Sequence, residues 1–469
     1  MKGNVMGERY DLVIIGSGPG GYVGAIRAAQ LGKKVAIVER DRLGGVCLNW
    51  GCIPTKALLR NAEILSLLHR AEEFGFSFDN LRVDFSVAVK RSERAAWKLS
   101  KGVEYLMKKN KVAVVSGEAR LAGKGQIQVT KDGKESELQA ERVLLATGSR
   151  PREIPGVAVD GKRVITSTEA LSLPQVPRSL LIIGAGAVGV EFADVYGAYG
   201  SEVTIIEMLP RMVPLEDAEI SSFLEKMFAK RGMKIWTSTT VEGVTVKGEQ
   251  VHLQLSREGK QKEVAGDVAL VAIGRVPNVE SLGLDGLGVK RGRGGFIEVN
   301  DHCESSVPGI YAIGDVVGGP LLAHKAMAEG IAAVETMAGI NTKRPDPSKV
   351  PNCTYCSPQV ASVGLTEEQA KETGREVKVG RFSFQASGKA VALGDTEGFV
   401  KVVADAEYGE ILGLHIIGPE ATEMIAEGTM ARTLEATLED LHHSVHAHPT
   451  LSETVAEACL AALGRVIHM

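Results

Sequence analysis

Two stretches of the chain carry the same order of apolar and polar positions. Residues 10–39 run from Leu12-Val13-Ile14-Ile15 through a glycine cluster and an Ala-rich helical stretch to Val35-Ala36-Ile37-Val38. Residues 180–207 run from Leu180-Leu181-Ile182-Ile183 through a second glycine cluster and helical stretch to Val203-Thr204-Ile205-Ile206. Short apolar runs bounded by glycine and polar residues predict parallel strands buried on both faces. Each stretch therefore predicts a strand–helix–strand unit. Two further apolar runs, Val143-Leu144-Leu145 and Ile310-Tyr311-Ala312-Ile313, lead into turn signals at Gly148 and Gly314-Asp315. From about residue 350 the pattern changes to strand-like segments, Val360–Gly364 and Glu410–Ile417, and then a helical, Ala/Glu-rich tail. The whole predicts an α/β protein. Two Rossmann-like domains, the second inserted in the first, precede a C-terminal α+β domain that reads as an interface or dimerisation domain. The expected bounds are 1–150 with 279–349, 151–278, and 350–469.

The glycine clusters sharpen that picture. Gly16, Gly18 and Gly21 have the spacing G-x-G-x-x-G, with Glu39 23 residues after Gly16. Gly184, Gly186 and Gly189 repeat the spacing at an offset of 168, again with an acid, Glu207, 23 residues on. Such glycines allow a tight turn, close approach of a pyrophosphate and helix–strand packing, and the acid accepts bonds from ribose hydroxyls. Backbone N–H groups at the helix start hold the anion. Two complete fingerprints predict two dinucleotides, FAD on the first and NAD on the second. A carboxylate at Glu207 suits a 2′-hydroxyl and repels a 2′-phosphate, although Arg211 is the residue type that NADP enzymes use. Thr147, Gly148 and Asp315, at strand ends where α/β sheets bind ligands, fit the flavin.

Composition removes other classes. The chain has 469 residues, 44% hydrophobic and 24% charged, with a net charge of −4. That is ordinary for a globular protein with real cores and supplies no basic field for nucleic acid. No apolar run approaches the ~18 residues of a membrane span. Residues 1–9 lack the apolar region of a signal peptide, so a cytoplasmic chain of bacterial type is expected; an organellar chain without its presequence would read the same. Six cysteines are too sparse for a disulfide scaffold, and in a reducing compartment a close pair is usually catalytic. Cys47 and Cys52 form such a pair, just after the first fingerprint. Ile53-Pro54-Thr55-Lys56 then opens a helical spacing with proline in its first turn, which puts Cys52 at a helix N-terminus and favours its thiolate. Lys56 lies one turn in, within reach of a flavin edge or a buried carboxylate. Cys353 and Cys356 form a lone C-x-x-C in a strand-like stretch and are assigned no role. His442, His443, His446 and His448 crowd the tail without a neighbouring cysteine, and no metal is expected. A dithiol substrate needs a base, and a histidine oriented by a carboxylate suits it.

At residues 44–59 the chain reads GGVCLNWGCIPTKALL, and at 446–453 HAHPTLSE. On these motifs and the two fingerprints it resembles the pyridine nucleotide–disulfide oxidoreductase family over essentially its whole length. Val46 and Trp50 stand where many members have Thr and Val. The nearest members oxidise protein-bound dihydrolipoyl groups with NAD⁺, as components of 2-oxo acid dehydrogenase or glycine cleavage complexes. The resemblance implies that Cys47 exchanges with the dithiol and that Cys52 lies against the flavin. It implies that Lys56 pairs with Glu191, and that Thr147, Asp315, Leu322, Ala323 and His324 hold FAD, with Ala119 near the adenine. Val241 and Gly274 would line the NAD site. His448, oriented by Glu453, would act as base on the cysteines of the second copy in a homodimer. The implied partners are lipoyl domains and the dihydrolipoyl acyltransferase core, or the lipoylated glycine cleavage carrier. Glutathione-type reductases fit Glu207 poorly, mercuric reductases usually end in a vicinal cysteine pair absent here, and soluble transhydrogenases lack the Cys47–Cys52 pair. A non-catalytic flavoprotein subunit would need none of Cys47, Cys52, His448 and Glu453.

Overall fold

The computed structural model describes residues 8–468 and divides the chain into two units. The first comprises residues up to 57, 89–152 and 275–347; the second comprises 58–88, 153–274 and 348–469. In the first, the apolar run Glu8–Ile15 forms a strand parallel to Val35–Glu39 on one side and to Lys134–Leu145 on the other. Ala113–Ser116 extends the sheet beyond Val35–Glu39, and Ile310–Ala312 pairs parallel to the end of Lys134–Leu145. Every residue of Ile310–Ala312 is buried, as a strand covered on both faces requires. The other half of Lys134–Leu145 belongs to an antiparallel meander with Gln126–Lys131 and Glu118–Gly123. The helices Pro19–Gln30 and Ala323–Met337 cross at small residues. A Cβ on Gly20 would stand 2.7 Å from the Ala326 carbonyl oxygen, and one on Gly330 only 2.5 Å from that of Gly20. This brings the glycine-cluster helix and the helix that begins after Leu322 into backbone contact. Where the chain leaves the unit and where it returns, Ser149–Pro151 and Arg275–Pro277 pair antiparallel.

In the second unit Ser179–Ile183 is flanked by Glu202–Ile206 and Val268–Val271, in a five-stranded parallel sheet completed by Lys234–Trp236 and Val164–Ile165. A three-stranded meander, Thr240–Lys247, Gln250–Arg257 and Lys260–Gly266, follows. The C-terminal sheet is antiparallel, ordered Asn352–Thr354, Gln359–Gly364, Ile411–Gly418, Phe399–Asp405, Val377–Ser383. All eight residues of Ile411–Gly418 are buried, since it is the central strand. The helix Glu453–Ala462 packs so closely on the strand Val377–Ser383 that a Cβ on Gly380 would lie 1.9 Å from the Ala458 carbonyl oxygen. Buried ion pairs tie the inserted fold to this sheet. Lys401, on the C-terminal sheet, meets Asp217 at 2.9 Å and Glu219 at 2.7 Å, and Arg231 meets Asp194 at 2.6 Å while donating to the Ser357 carbonyl. No helix among the described residues is long and apolar enough to cross a membrane.

Candidate active site

The two fingerprints fold alike down to single hydrogen bonds. Gly16 has φ +99°, and a Cβ there would meet the Ala146 carbonyl oxygen at 2.4 Å; Gly184 has φ +104°, with Ala272 oxygen at 2.5 Å. A Cβ on Gly21 would lie 2.0 Å from Gly16 oxygen, and one on Gly189 2.0 Å from Gly184 oxygen. Gly18 and Gly186, by contrast, face open space and begin helices that no side chain caps. This is the shape a pyrophosphate needs: closed glycines that seat the helix, and an open one leading to its unclaimed first-turn N–H groups. The residues present therefore fit the two dinucleotides. The acids match as well. Glu39 accepts from the amide of Ser17 at 2.9 Å and that of Asp41 at 3.0 Å; Glu207 accepts from Ala185 at 2.7 Å and Leu209 at 2.8 Å. Each carboxylate is held at the loop and keeps lone pairs for a ligand. Arg211 is drawn to Glu368 at 2.9 Å, an engagement that bears on the choice between NAD and NADP.

The thiol pair sits directly beside the first fingerprint. A Cβ on Gly45 would lie 2.7 Å from Gly18 Cα, and the Gly44 amide donates to the Ser17 carbonyl at 3.1 Å. Cys47 then rides the short helix Gly45–Trp50, braced by Asn49, whose amide donates to the Leu43 and Gly45 carbonyls at 3.0 Å each. Cys52 begins the helix Cys52–His69. Thr55 secures this start by donating its hydroxyl to the Gly51 carbonyl at 2.7 Å. The Cys47 thiol is pushed far above its ordinary value by its hydrogen bond to Cys52, then by burial and by the charge of Cys52, with Lys56 opposing. In the dithiol state the proton therefore stays on Cys47.

Several residues invisible as motifs complete this part of the site. Arg275 donates to the Ser149 hydroxyl at 2.6 Å and the Ser149 carbonyl at 2.7 Å, and the Ser149 hydroxyl donates to Asp315 at 2.5 Å. Burial lowers the Arg275 pKa, while the charges of Asp315 and Cys52 raise it. Asp315 itself lies in the turn Gly314–Val317, fixed by the wholly buried pair Lys325–Glu329 at 3.3 Å. Lys325 donates to the Gly318 carbonyl at 2.8 Å, and Glu329 accepts from the Gly314 amide at 2.8 Å. The only sequence signal for that pair was its i, i+4 spacing in an otherwise Ala-rich helix. Thr147 donates to the Asn278 carbonyl at 2.7 Å, and Asn278 returns a bond to the Thr147 carbonyl at 2.9 Å. Ala119 is buried in its strand, Leu322 precedes the helix that opens with Ala323 and His324, and Gly148 has φ +68°.

In the second unit Glu191 is buried on the helix Ala187–Ala198 and accepts the Tyr355 amide at 3.0 Å. Val241 lies half-buried on the strand Thr240–Lys247, and Gly274 has φ +107°. Cys356 is fully buried, its thiol pushed well up by burial and by the charges of Asp194 and Glu191. His448 Nδ1 stands 2.9 Å from Glu453 Oε1, and the other oxygen of Glu453 accepts the Thr450 amide at 2.7 Å. Burial raises the Glu453 carboxyl, but the Thr450 amide and His448 outweigh it and hold the group ionised. The His448 side chain is 79% exposed. The four tail histidines separate: His446 pairs with Glu427 at 2.7 Å, His448 with Glu453, and His442 and His443 lie beside Glu439.

Residues 10–330 match the family model described as pyridine nucleotide-disulphide oxidoreductase, and residues 350–459 match the dimerisation domain of that family. A dihydrolipoyl dehydrogenase of Rhizobium etli is 48% identical, with 99% of this chain and 100% of that one covered. Proteins of the same name from Chlorobaculum tepidum (50% identical, 98% and 99% covered) and Bacillus subtilis (45% identical, 99% and 100% covered) are similar over the same extent. Among solved structures, LpdA from Mycobacterium tuberculosis superposes with a TM-score of 0.90 at 28% identity, covering 96% of this chain and 99% of that one. The flavoprotein disulfide reductase RclA of Escherichia coli superposes at 0.87 with 27% identity, covering 96% and 99%. The chain thus belongs to the pyridine nucleotide–disulphide oxidoreductase family and, within it, groups with the dihydrolipoyl dehydrogenases.

Proposed function

We propose that this protein oxidises protein-bound dihydrolipoyl groups with NAD⁺, using FAD and the Cys47–Cys52 pair, and that it does so as a homodimer. The observation that carries the reading is the hydrogen-bonded thiol pair seated on a flavin-type fingerprint. On this reading residues 1–150 and 279–349 bind FAD, 151–278 bind NAD and 350–469 form the interface, divisions supported by the positions of the two fingerprints and of the family matches. FAD, when bound, supplies the two-electron link between the thiols and the nicotinamide. Gly16, Gly18, Gly21 and Glu39 seat it from the pyrophosphate end, with Ala119 at the adenine; Thr147, Gly148, Asp315, Leu322, Ala323 and His324 line its other parts. Gly184, Gly186, Gly189, Glu191, Glu207, Val241 and Gly274 bind NAD.

The chemistry of the chain's own groups follows from their protonation. His448, ionically oriented by Glu453, takes a proton from the dihydrolipoyl dithiol and makes the attacking thiolate. That thiolate attacks Cys47 Sγ of the oxidised pair, and Cys52 leaves as thiolate, stabilised by the helix start and by Lys56. The second substrate thiol, deprotonated in turn, displaces Cys47, closing the lipoyl disulfide and leaving the enzyme pair reduced. Electrons then leave through Cys52, the member at the helix start. The physiological reductants are lipoyl domains docked on an acyltransferase core, or the lipoylated carrier of glycine cleavage. Steady-state turnover of dihydrolipoamide with NAD⁺, set against oxidised glutathione with NADPH, tests the reading. Turnover of the second pair alone would overturn it.

A further inference from the structure

We infer that Glu439, His442 and His443 form a surface binding site for a borderline divalent transition-metal ion such as Zn²⁺, separate from the redox chemistry. These residues occupy positions i, i+3 and i+4 of the helix Leu438–His443, a spacing that puts side chains on one helical face. One ligating atom from each lies within 4.8 Å of the other two, and the two imidazole centroids are 5.1 Å apart. A second observation concerns the carboxylate. Arg465 engages Glu439 Oε1, while Oε2, on a side chain 45% exposed overall, is itself occluded and has no hydrogen-bond partner among the described residues. A buried acceptor without a partner is uncommon and costly, and a cation supplies what it lacks. Among the described residues Arg465 is the one cation paired with this carboxylate, and it engages Oε1 rather than Oε2.

The donor set decides the class of ion. Two imidazoles and one carboxylate suit zinc, copper or nickel rather than the hard cations that take oxygen ligands alone. Three protein ligands leave the remaining positions to water. The other two tail histidines are not required, because Glu427 and Glu453 already hold them. The segment leaving this helix carries Val445, 99% exposed, and then His448. A bound ion would clamp the end of the helix from which that segment departs.

Isothermal titration of the oxidised FAD-loaded enzyme with Zn²⁺ tests the inference, the oxidised state keeping Cys47 and Cys52 from acting as ligands. One saturable site per subunit is expected. His443→Ala, at an exposed position, should weaken it at least tenfold, and His442→Ala/His443→Ala should abolish it. Both variants should retain dihydrolipoamide turnover, which shows that they are folded. His448→Gln should bind Zn²⁺ as the parent does. Absence of a saturable site in the parent overturns the inference. So does binding that survives the double substitution, or binding that His448→Gln removes.

Discussion

Replacing His448 by glutamine isolates the base from the rest of the machine. Glutamine keeps a polar side chain of similar reach but cannot take a proton. Among the described residues the one hydrogen-bond partner of the His448 ring is Glu453, at 2.9 Å, and the side chain is 79% exposed, so its removal disturbs no core. The expected loss is therefore catalytic. A positioned general base contributes about 10²–10⁴-fold, or about 3–5 kcal/mol at 1.36 kcal/mol per decade. The loss should fall on one half of the reaction. Dihydrolipoamide turnover, followed as NADH formation, should drop by that factor, while anaerobic reduction of the bound flavin by NADH stays within twofold of the parent. Glu453→Gln keeps the acceptor for the Thr450 amide and removes only the charge beside His448. Since that pair is exposed, about tenfold is expected. In His448→Gln/Glu453→Gln the second change should add almost nothing, because a positioning residue has no role once the base is gone. Dithiol turnover of His448→Gln within threefold of the parent would refute the reasoning. Equal losses in both half-reactions would refute it too, by showing a structural effect.

Other outcomes follow from the same geometry. Cys47→Ser should abolish dithiol turnover and leave Cys52 as a lone thiolate; a purified variant without long-wavelength charge-transfer absorbance would contradict the charge placed on Cys52. Glu207→Ala should narrow the preference for NAD⁺ over NADP⁺ by at least tenfold in kcat/KM, and an unchanged ratio would move discrimination to other residues. Lys401→Met should cost about 3–5 kcal/mol, because it strands the carboxylate of Asp217, itself 2% exposed. The thermal midpoint of the holoenzyme should fall by on the order of 10 °C, and a fall under 2 °C would contradict a buried carboxylate that depends on Lys401. The His446 pKa is raised above its usual 6.5, first by the bond to Glu427, against burial. Its stabilisation is thus complete below pH 6.5 and lost as pH rises through the higher folded value. Thermal midpoints between pH 6 and 9 should show a decline in the parent that Glu427→Gln reduces; parallel curves would exclude the pair as the cause.

The fingerprints were legible because their glycines answer to local contacts. A Cβ at Gly16 or Gly184 collides with backbone of the neighbouring strand, so the residue type is forced wherever the turn occurs. Cys47 and Cys52 were legible for a similar reason: proline in the first turn marks the helix start beneath Cys52. Arg275 and Ser149 were not, since they lie 126 positions apart and meet only where the two crossing strands pair. Lys325 and Glu329 hid among alanines, and nothing in their spacing told a buried pair from a solvated one. Residues 348–469 also form one compact unit with 153–274, a grouping that no local sequence pattern marks. Lys401 and Arg231 contribute to this, because Lys401 meets Asp217 of the inserted fold and Arg231, on that fold, donates to the Ser357 carbonyl. Four histidines within seven positions looked alike in the sequence. Their separate roles depend on Glu427, Glu453 and Glu439, and only the fold determines which acid each one meets.

The raised Cys47 thiol accounts for the separate base in the proposed mechanism. A thiol held protonated by its neighbour is a poor nucleophile, so the reduced pair does not readily attack a disulfide unaided. In the oxidising direction the burden passes to the substrate, whose thiols lie near pKa ~8.5 and are mostly protonated at neutral pH. In the proposed mechanism a base must therefore meet the dithiol. His448 meets half of that requirement within one chain. It is oriented by an ionised carboxylate, yet it is 79% exposed, and an imidazole so fully hydrated gains little from its partner's charge. Covering it with a second subunit would remove water and strengthen the Glu453 interaction at the point where the dithiol arrives. Dimerisation on this reading creates the electrostatic environment of the base as well as its position, and so the two members of the redox site can lie on separate parts of one chain.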